Sequence, residues 1–284
     1  MYAQFEHLRP SSLASLLALL AERKEGTLLY AGGTDLLVDL RGGNRTVSRV
    51  LDTKCVPELH VIAENAECIS IGCAATLSEI AAHPLVRTWA PALAQGAGKV
   101  GSVQIRNKGT LAGNIQTASP AGDALNGAYA LDGVAVLLSR RGERRVPLQS
   151  YICGPRRTLL EADELLAAVE IPKRRWSYQQ FFKVGRRNAM AISVVNGAVA
   201  LEAEDGVVKD VRISVGAVAP VPMRVEEAEA LLRGQRLTAE TAARAGEIVT
   251  AAVHPISDLR ASAAYRAYMA GVMVKRLLTA SMEV

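Results

Sequence analysis

Two stretches of the chain concentrate groups able to hold phosphate. In Leu29-Tyr30-Ala31-Gly32-Gly33-Thr34-Asp35-Leu36 an apolar run gives way to paired glycines and then to a helix start. Glycine lets a backbone approach a ligand closely and adopt positive φ. Successive exposed N–H groups with a helix behind them form a pyrophosphate cradle. A Gly-Gly pair after a strand also serves as a plain tight turn, and both the G-x-G-x-x-G fingerprint and the Gly-Lys-Ser/Thr of a P-loop are missing here. The second stretch runs from Ile105 to Asp123 and carries Gly109, Thr110, Gly113, Asn114, Thr117, Ser119 and Asp123. Its amides and hydroxyls could ligate phosphate oxygens, and Asp123 a ribityl or ribose hydroxyl. A structural Ω-loop can share that composition. Two separated glycine loops nevertheless suit a ligand with a long diphosphate clamped from two sides, a dinucleotide rather than a mononucleotide.

The elements that must position these loops follow from the apolar pattern. Pro10-Ser11-Ser12 precede Leu13, Leu16, Leu17 and Leu20, capping hydroxyls followed by an apolar stripe at helical spacing. Gly26 ends that helix. Residues 27–31 read as a buried strand delivering the first glycine loop, 34–40 as a short helix leaving it, and 47–51 as a further strand. Strands at 59–63 and 68–73 and helices at 76–82 and 84–97 come next. Residues 99–121 lack hydrophobic periodicity, and so long a stretch inside a compact domain marks a functional loop. A helix ending near Leu131 leads to a hairpin whose strands flank Arg140-Arg141-Gly142-Glu143-Arg144-Arg145, read as solvated turn charge. A strand at 165–172 closes this region. Lys173-Arg174-Arg175-Trp176-Ser177 is the candidate boundary, beyond which strands at 181–185, 191–202 and 207–217 precede helices at 222–232, 238–251 and 261–278. In the last helix Tyr265, Met269, Val272 and Arg276 share one side, expected to close the C-terminal core.

Several function classes are disfavoured. The four cysteines, Cys55, Cys68, Cys73 and Cys153, match neither zinc nor iron–sulphur spacing and read as small buried apolar side chains. The histidines His7, His60, His83 and His254 are scattered, so no metal site is expected. The net charge of +5 sits in short clusters, and aromatics make up only 4% of the chain, too few to interleave with those clusters for base stacking, so nucleic acid is not expected as a partner. No apolar run is long enough to span a bilayer. The first residues lack the basic-then-apolar order of a signal peptide, and a cytoplasmic protein is expected.

Ala31-Gly32-Gly33-Thr34-Asp35, Gly109-Thr110-Leu111-Ala112-Gly113-Asn114 and Thr117-Ala118-Ser119-Pro120-Ala121-Gly122-Asp123 together resemble the FAD-binding medium subunit of the xanthine dehydrogenase and carbon monoxide dehydrogenase family, the molybdenum hydroxylases. Supporting stretches are Glu164 to Pro172, Phe182-Lys183-Val184-Gly185-Arg186 and Asp258 to Arg266, so the resemblance covers nearly the whole chain. The family pattern often has Gly-Gly before the asparagine, where this chain has Ala112-Gly113; the methyl group of Ala112 restricts the backbone there. Some relatives carry an extra iron–sulphur cluster on an inserted cysteine loop, which has no counterpart here.

The resemblance implies an α+β fold, with a two-subdomain FAD-binding region over residues 1–175 (about 1–53 and 54–175) and a smaller C-terminal domain of sheet plus helices over 176–284. It implies an FAD diphosphate held between Leu29, Tyr30, Ala31, Gly32, Gly33, Thr34, Asp35 and Leu36 on one side and Thr110, Leu111, Ala112, Gly113 and Asn114 on the other. Asp123 matches the family's acidic position, Leu166 an apolar position packing on the cofactor or plain strand core, and Lys183 the lysine near the cofactor. No residue is expected to act in bond-making catalysis. The implied partners are a large molybdenum–pterin subunit and a small subunit with 2Fe–2S clusters, as a dimer of heterotrimers, with an external electron acceptor. The alternatives are a stand-alone flavin oxidase and a non-catalytic nucleotide-binding module; oxidases of related fold often attach flavin through His or Cys, which neither loop contains.

Overall fold

A computed structural model describes residues 4–43 and 46–283. The first layer is a parallel sheet in the order Glu6–Leu8, Arg49–Asp52, Thr27–Tyr30. Its central strand is wholly buried, whereas Thr27–Tyr30, expected as a buried strand, is a half-buried edge. An edge position leaves the following glycines room to turn away from the sheet. The helix Leu13–Ala21 starts at Ser12, which forms a capping box with Ser15, and it buries Leu16 and Leu20. The helix Leu36–Arg41 leaves the first loop.

The second layer is a five-stranded antiparallel sheet in the order Ile62–Glu64, Cys68–Gly72, Leu165–Pro172, Val134–Ser139, Gly142–Pro147. The strand expected at 59–63 is divided: Pro57–His60 is a short 3-10 helix, because Pro57 occupies a first-turn position, and pairing begins only at Ile62. The basic hairpin turns at Arg140-Arg141, which places Arg144 and Arg145 on its second strand. Arg141 and Arg145 stay exposed to solvent, as expected of turn charge, but the cluster is also ion-paired. Arg141 reaches Asp163 at 3.0 Å, Arg144 reaches Glu164 at 2.6 Å and Arg145 reaches Glu170 at 3.1 Å. Cross-strand placement in space, invisible to local spacing, supplies the partners. Of the cysteines only Cys73 is buried, where burial pushes its thiol up to about 12, while Cys55 and Cys68 are half-buried and Cys153 is exposed.

The C-terminal region is a four-stranded antiparallel sheet in chain order, Tyr178–Val184, Val195–Glu204, Val207–Gly216 and Met223–Arg224, covered by the helices Glu226–Leu232, Ala239–Ala252 and Ala263–Ala280. The last helix buries Arg266, Ala270, Gly271, Val274 and Leu278. The expected stripe is therefore displaced: Tyr265 is 46% exposed, and the inward side is set by Gly271, which lies backbone to backbone with Gly246 of the neighbouring helix. Small residues there let the two helices approach closely, and close approach outweighs the burial of one tyrosine. Against the strands Val195–Glu204 and Val207–Gly216 packs the helix Asp123–Ala130, every residue of which is buried.

Charge clusters stitch the C-terminal sheet together. Asp210 meets Arg174 at 2.6 Å, Arg212 at 2.5 Å and Arg233 at 2.7 Å. Burial opposes the Asp210 charge, but the hydrogen bonds from Arg233 and Arg174 outweigh it and hold the carboxyl well below the usual carboxylate range. A carboxyl lowered on folding contributes stability that is present above its unfolded value, about 3.9, and lost as pH falls through the folded one. Thermal unfolding should therefore show a melting temperature that drops as pH falls below about 4. Asp210→Asn should flatten part of that drop; an unchanged pH profile in the variant contradicts the assignment.

Candidate functional site

The edge strand Thr27–Tyr30 ends at the first glycine loop, and residues 99–121, expected as one irregular loop, contain two short helices, Val103–Arg106 and Leu111–Gln116. The two glycine stretches are in direct contact. A side chain at Gly32 would collide with the carbonyl of Lys108 and the Cα of Gly109, so only glycine fits between the loops. Gly33 has φ +71°, and a side chain there would strike the Tyr30 ring. Thr117 donates its hydroxyl to Asp35 Oδ2 at 2.8 Å, closing the contact from the far side. Spacing had separated these residues by some eighty positions; the fold brings Gly32, Gly33, Thr34 and Asp35 beside Gly109 and Thr117.

In the second loop Thr110, 2% exposed, caps the helix Leu111–Gln116 by accepting from the Gly113 amide at 3.1 Å. Leu111 and Ala112 are buried and anchor that helix in the core. Gly113 faces open space apart from the Thr110 hydroxyl, 3.2 Å from where a Cβ would lie. Asn114, expected to face a phosphate, accepts through Oδ1 from the Leu125 amide at 2.9 Å and so ties this loop to the buried helix Asp123–Ala130.

Among the described residues, the backbone N–H groups of Gly32, Gly33, Thr34, Asp35 and Ala112 have no intramolecular acceptor. Uncommitted amides of this kind need an external acceptor or water. The carboxylate nearest them, Asp35, is engaged by Thr117. Five free donors on two touching loops, with the open side of Gly113 beside them, fit a diphosphate group.

Asp123 opens the buried helix and is 5% exposed. Its carboxylate accepts from Lys183 Nζ at 2.5 Å, Ser193 Oγ at 2.6 Å and Asn196 Nδ2 at 2.7 Å. A hydroxyl of a bound molecule would have to share oxygens already committed to three donors. Lys183 also donates to the Lys99 carbonyl at 2.9 Å, and its side chain is only 12% exposed. It is a fixed cation with one of its three donors uncommitted. Leu166, 2% exposed, lies within the core of the five-stranded sheet beside a register shift in its pairing.

Sequence reasoning missed the rest of this polar core. Asn126 donates to Asn196 at 3.0 Å and accepts from Ser214. Ser193, Asn126, Asn196 and Ser214 are all fully buried. Single polar residues inside apolar strands were the available signal, since a buried Ser or Asn survives only with partners.

Comparison with known proteins completes the picture. Residues 3–174 match the family model described as FAD binding domain in molybdopterin dehydrogenase, and residues 180–281 match CO dehydrogenase flavoprotein C-terminal domain. The chain is 35% identical to the nicotinate dehydrogenase FAD-subunit of Eubacterium barkeri, over 92% of this chain and 90% of that one. It is 30% identical to the carbon monoxide dehydrogenase medium chain of Hydrogenophaga pseudoflava, over 98% and 97%. A solved structure of carbon monoxide dehydrogenase from that organism, lacking the Mo-pyranopterin moiety, superposes with a TM-score of 0.94 at 31% identity, covering 100% of this chain and 99% of the other. Quinoline 2-oxidoreductase from Pseudomonas putida 86 superposes equally well, at 28% identity, covering 100% and 98%.

The two glycines separate structure from binding. Gly113→Val fills open space beside the free amides, so it should weaken FAD binding about tenfold or more while shifting the apo protein's stability by no more than about 1 kcal/mol. Gly32→Ala meets backbone and should lower the melting temperature as well. Flavin titration beside apo-protein melts tests both, and equal losses of fold and flavin in Gly113→Val contradict the reading.

Proposed function

Because the chain belongs to the FAD-binding subunit family of the molybdenum hydroxylases, we propose that it is their electron-transfer subunit, relaying electrons from the 2Fe–2S clusters of a partner chain to an external acceptor. Bound FAD supplies the redox chemistry, taking up and giving back the electrons. The amides of Gly32, Gly33, Thr34, Asp35 and Ala112 would hold its diphosphate. Lys183 would stand as a preorganised cation wherever negative charge grows on reduction.

The observation that carries the proposal is that the polar side chains around the loops are already committed to one another. Asp123 serves three donors, Asp35 serves Thr117 and Asn114 serves Leu125. Neither loop holds a histidine or cysteine. A site that oxidised an organic substrate directly would need a group free to take its proton. Electrons arriving from another chain need none. The names of the relatives, FAD-subunit and medium chain, support a multi-subunit assembly; the partners of this reading are a large molybdenum–pterin subunit and a small iron–sulphur subunit, as a dimer of heterotrimers. No helix among the described residues is long and apolar enough to cross a membrane.

Anaerobic mixing tests this. Nicotinate, purines, aldehydes or carbon monoxide added to the lone FAD-loaded chain should leave its flavin absorbance unchanged. The same addition to the assembled complex should bleach it with the complex's own substrate. Rapid bleaching without partner chains would overturn the electron-transfer reading in favour of a direct oxidase.

A further inference from the structure

The helix Asp123–Ala130 carries one aspartate at its start and another, Asp132, just beyond its end. Asp132 stands where helices usually finish on glycine or asparagine. Its φ is +54°, and the amide of the following Gly133 donates back to the Ala128 carbonyl at 3.0 Å. A negative charge at that end opposes the helix dipole, so the helix itself gains nothing from it. The partners of the charge lie across the seam, on the C-terminal region. Arg212 donates to one carboxylate oxygen at 2.9 Å and Arg224 to the other at 2.7 Å. Gln149, on the same side of the seam as Asp132, adds a donor at 3.2 Å.

These contacts belong to a closed ring of alternating charge. From Asp132 it runs to Arg224, then to Glu229 at 2.6 Å and to Arg233 at 2.9 Å. Arg233 meets Asp210 at 2.7 Å, Asp210 meets Arg212 at 2.5 Å, and Arg212 returns to Asp132. Each guanidinium thus serves two carboxylates and each carboxylate two guanidiniums. The side chain of Glu229 is 1% exposed and that of Arg224 12%, so salt screens this part of the ring little. A network of this kind holds its members more firmly than an isolated surface pair does. Asp132 is the one member contributed by the FAD-binding region.

A helix of 8 residues is about 12 Å long. Held at Asp123 alone, it could pivot about that end. Held at both ends, with Asn126 bonded to Asn196 between them, it has one orientation on the C-terminal sheet. We propose that Asp132 is a positioning residue for the candidate cofactor site, fixing the angle of this helix and thereby the placement of Lys183 against the second glycine loop. Lys183 is tied to the helix start through Asp123, and the loop is tied to the same helix by Asn114 through the Leu125 amide. The inference rests on FAD occupying the glycine-loop site and is independent of where its electrons come from.

The test compares Asp132→Asn with Lys209→Gln. Asparagine suits the same backbone conformation, so the first variant removes the charge alone. The second breaks the Lys209–Glu204 pair, 3.1 Å, which lies wholly within the C-terminal sheet. In Asp132→Asn, amide exchange of the FAD-free full chain should run about tenfold faster at 123–126 and 193–197, the end of the helix remote from the substitution. Titration should show the FAD dissociation constant raised about tenfold. Lys209→Gln should change neither. Arg212→Gln opens the ring while leaving Asp210 with Arg174 and Arg233, and should reproduce both changes even where Asp132→Asn fails to fold. Faster exchange confined to 128–133 and 208–236, with FAD affinity unchanged, makes the ring a local brace and overturns the proposal. The full effect in Lys209→Gln overturns it too. Neither readout involves reduction of the flavin, so failure of the electron-transfer reading would leave both results standing.

Discussion

One buried carboxylate organises the junction on which the candidate cofactor site depends. Asp123 sits at the start of a helix with no exposed residue, and three donors from the C-terminal region converge on it: Lys183, Ser193 and Asn196. An ionised carboxylate so deeply buried is tolerable only when fully paired. Removing Lys183 leaves that charge without its ion-pair partner, which typically costs about 3–5 kcal/mol, and losing Ser193 or Asn196 leaves one hydrogen bond unmade, a smaller cost. The two regions are therefore held in one relative placement by chemistry rather than by apolar contact alone. Asn126, Asn196 and Ser214 extend the same network through a second set of hydrogen bonds.

From that anchor the order passes outward to the glycine loops. Asn114 ties the second loop to the amide of Leu125, in the first turn of the same helix. Thr117 and the backbone at Lys108 and Gly109 then hold the first loop against the second. A chain of short contacts thus runs from the C-terminal strands to the free amides of Gly32 and Gly33. Preorganised donors of this kind lower the ordering cost of binding. The donors proposed for FAD thus form an arrangement that exists without it, and the cation of Lys183 belongs to the same connected set.

Much of this was legible in the residues. The strand Leu165–Pro172, the capping hydroxyl at Ser12 and the existence of two glycine loops follow from local patterns that tertiary packing did not override. The parts that were not legible depend on neighbours distant in sequence. The inward side of the last helix is set by Gly271 against Gly246, which no periodicity count can anticipate. Arg144 and Arg145 looked like turn charge until the sheet order placed Glu164 and Glu170 beside them. Asp123 was noticed as a possible ligand for a hydroxyl, but its partners Ser193 and Asn196 were hidden inside an apolar run. The sequence offers Gly32 as a phosphate cradle or a plain tight turn; its contact with the other loop depends on Lys108 and Gly109, distant in sequence.

Amide hydrogen exchange, followed with and without FAD, tests most directly whether loops and anchor form a single unit. The account predicts that FAD slows exchange together at residues 32–35 and 110–114, and also at 193–197 across the Asp123 anchor. Protection confined to one loop, or both loops protected with 193–197 unaffected, would contradict it.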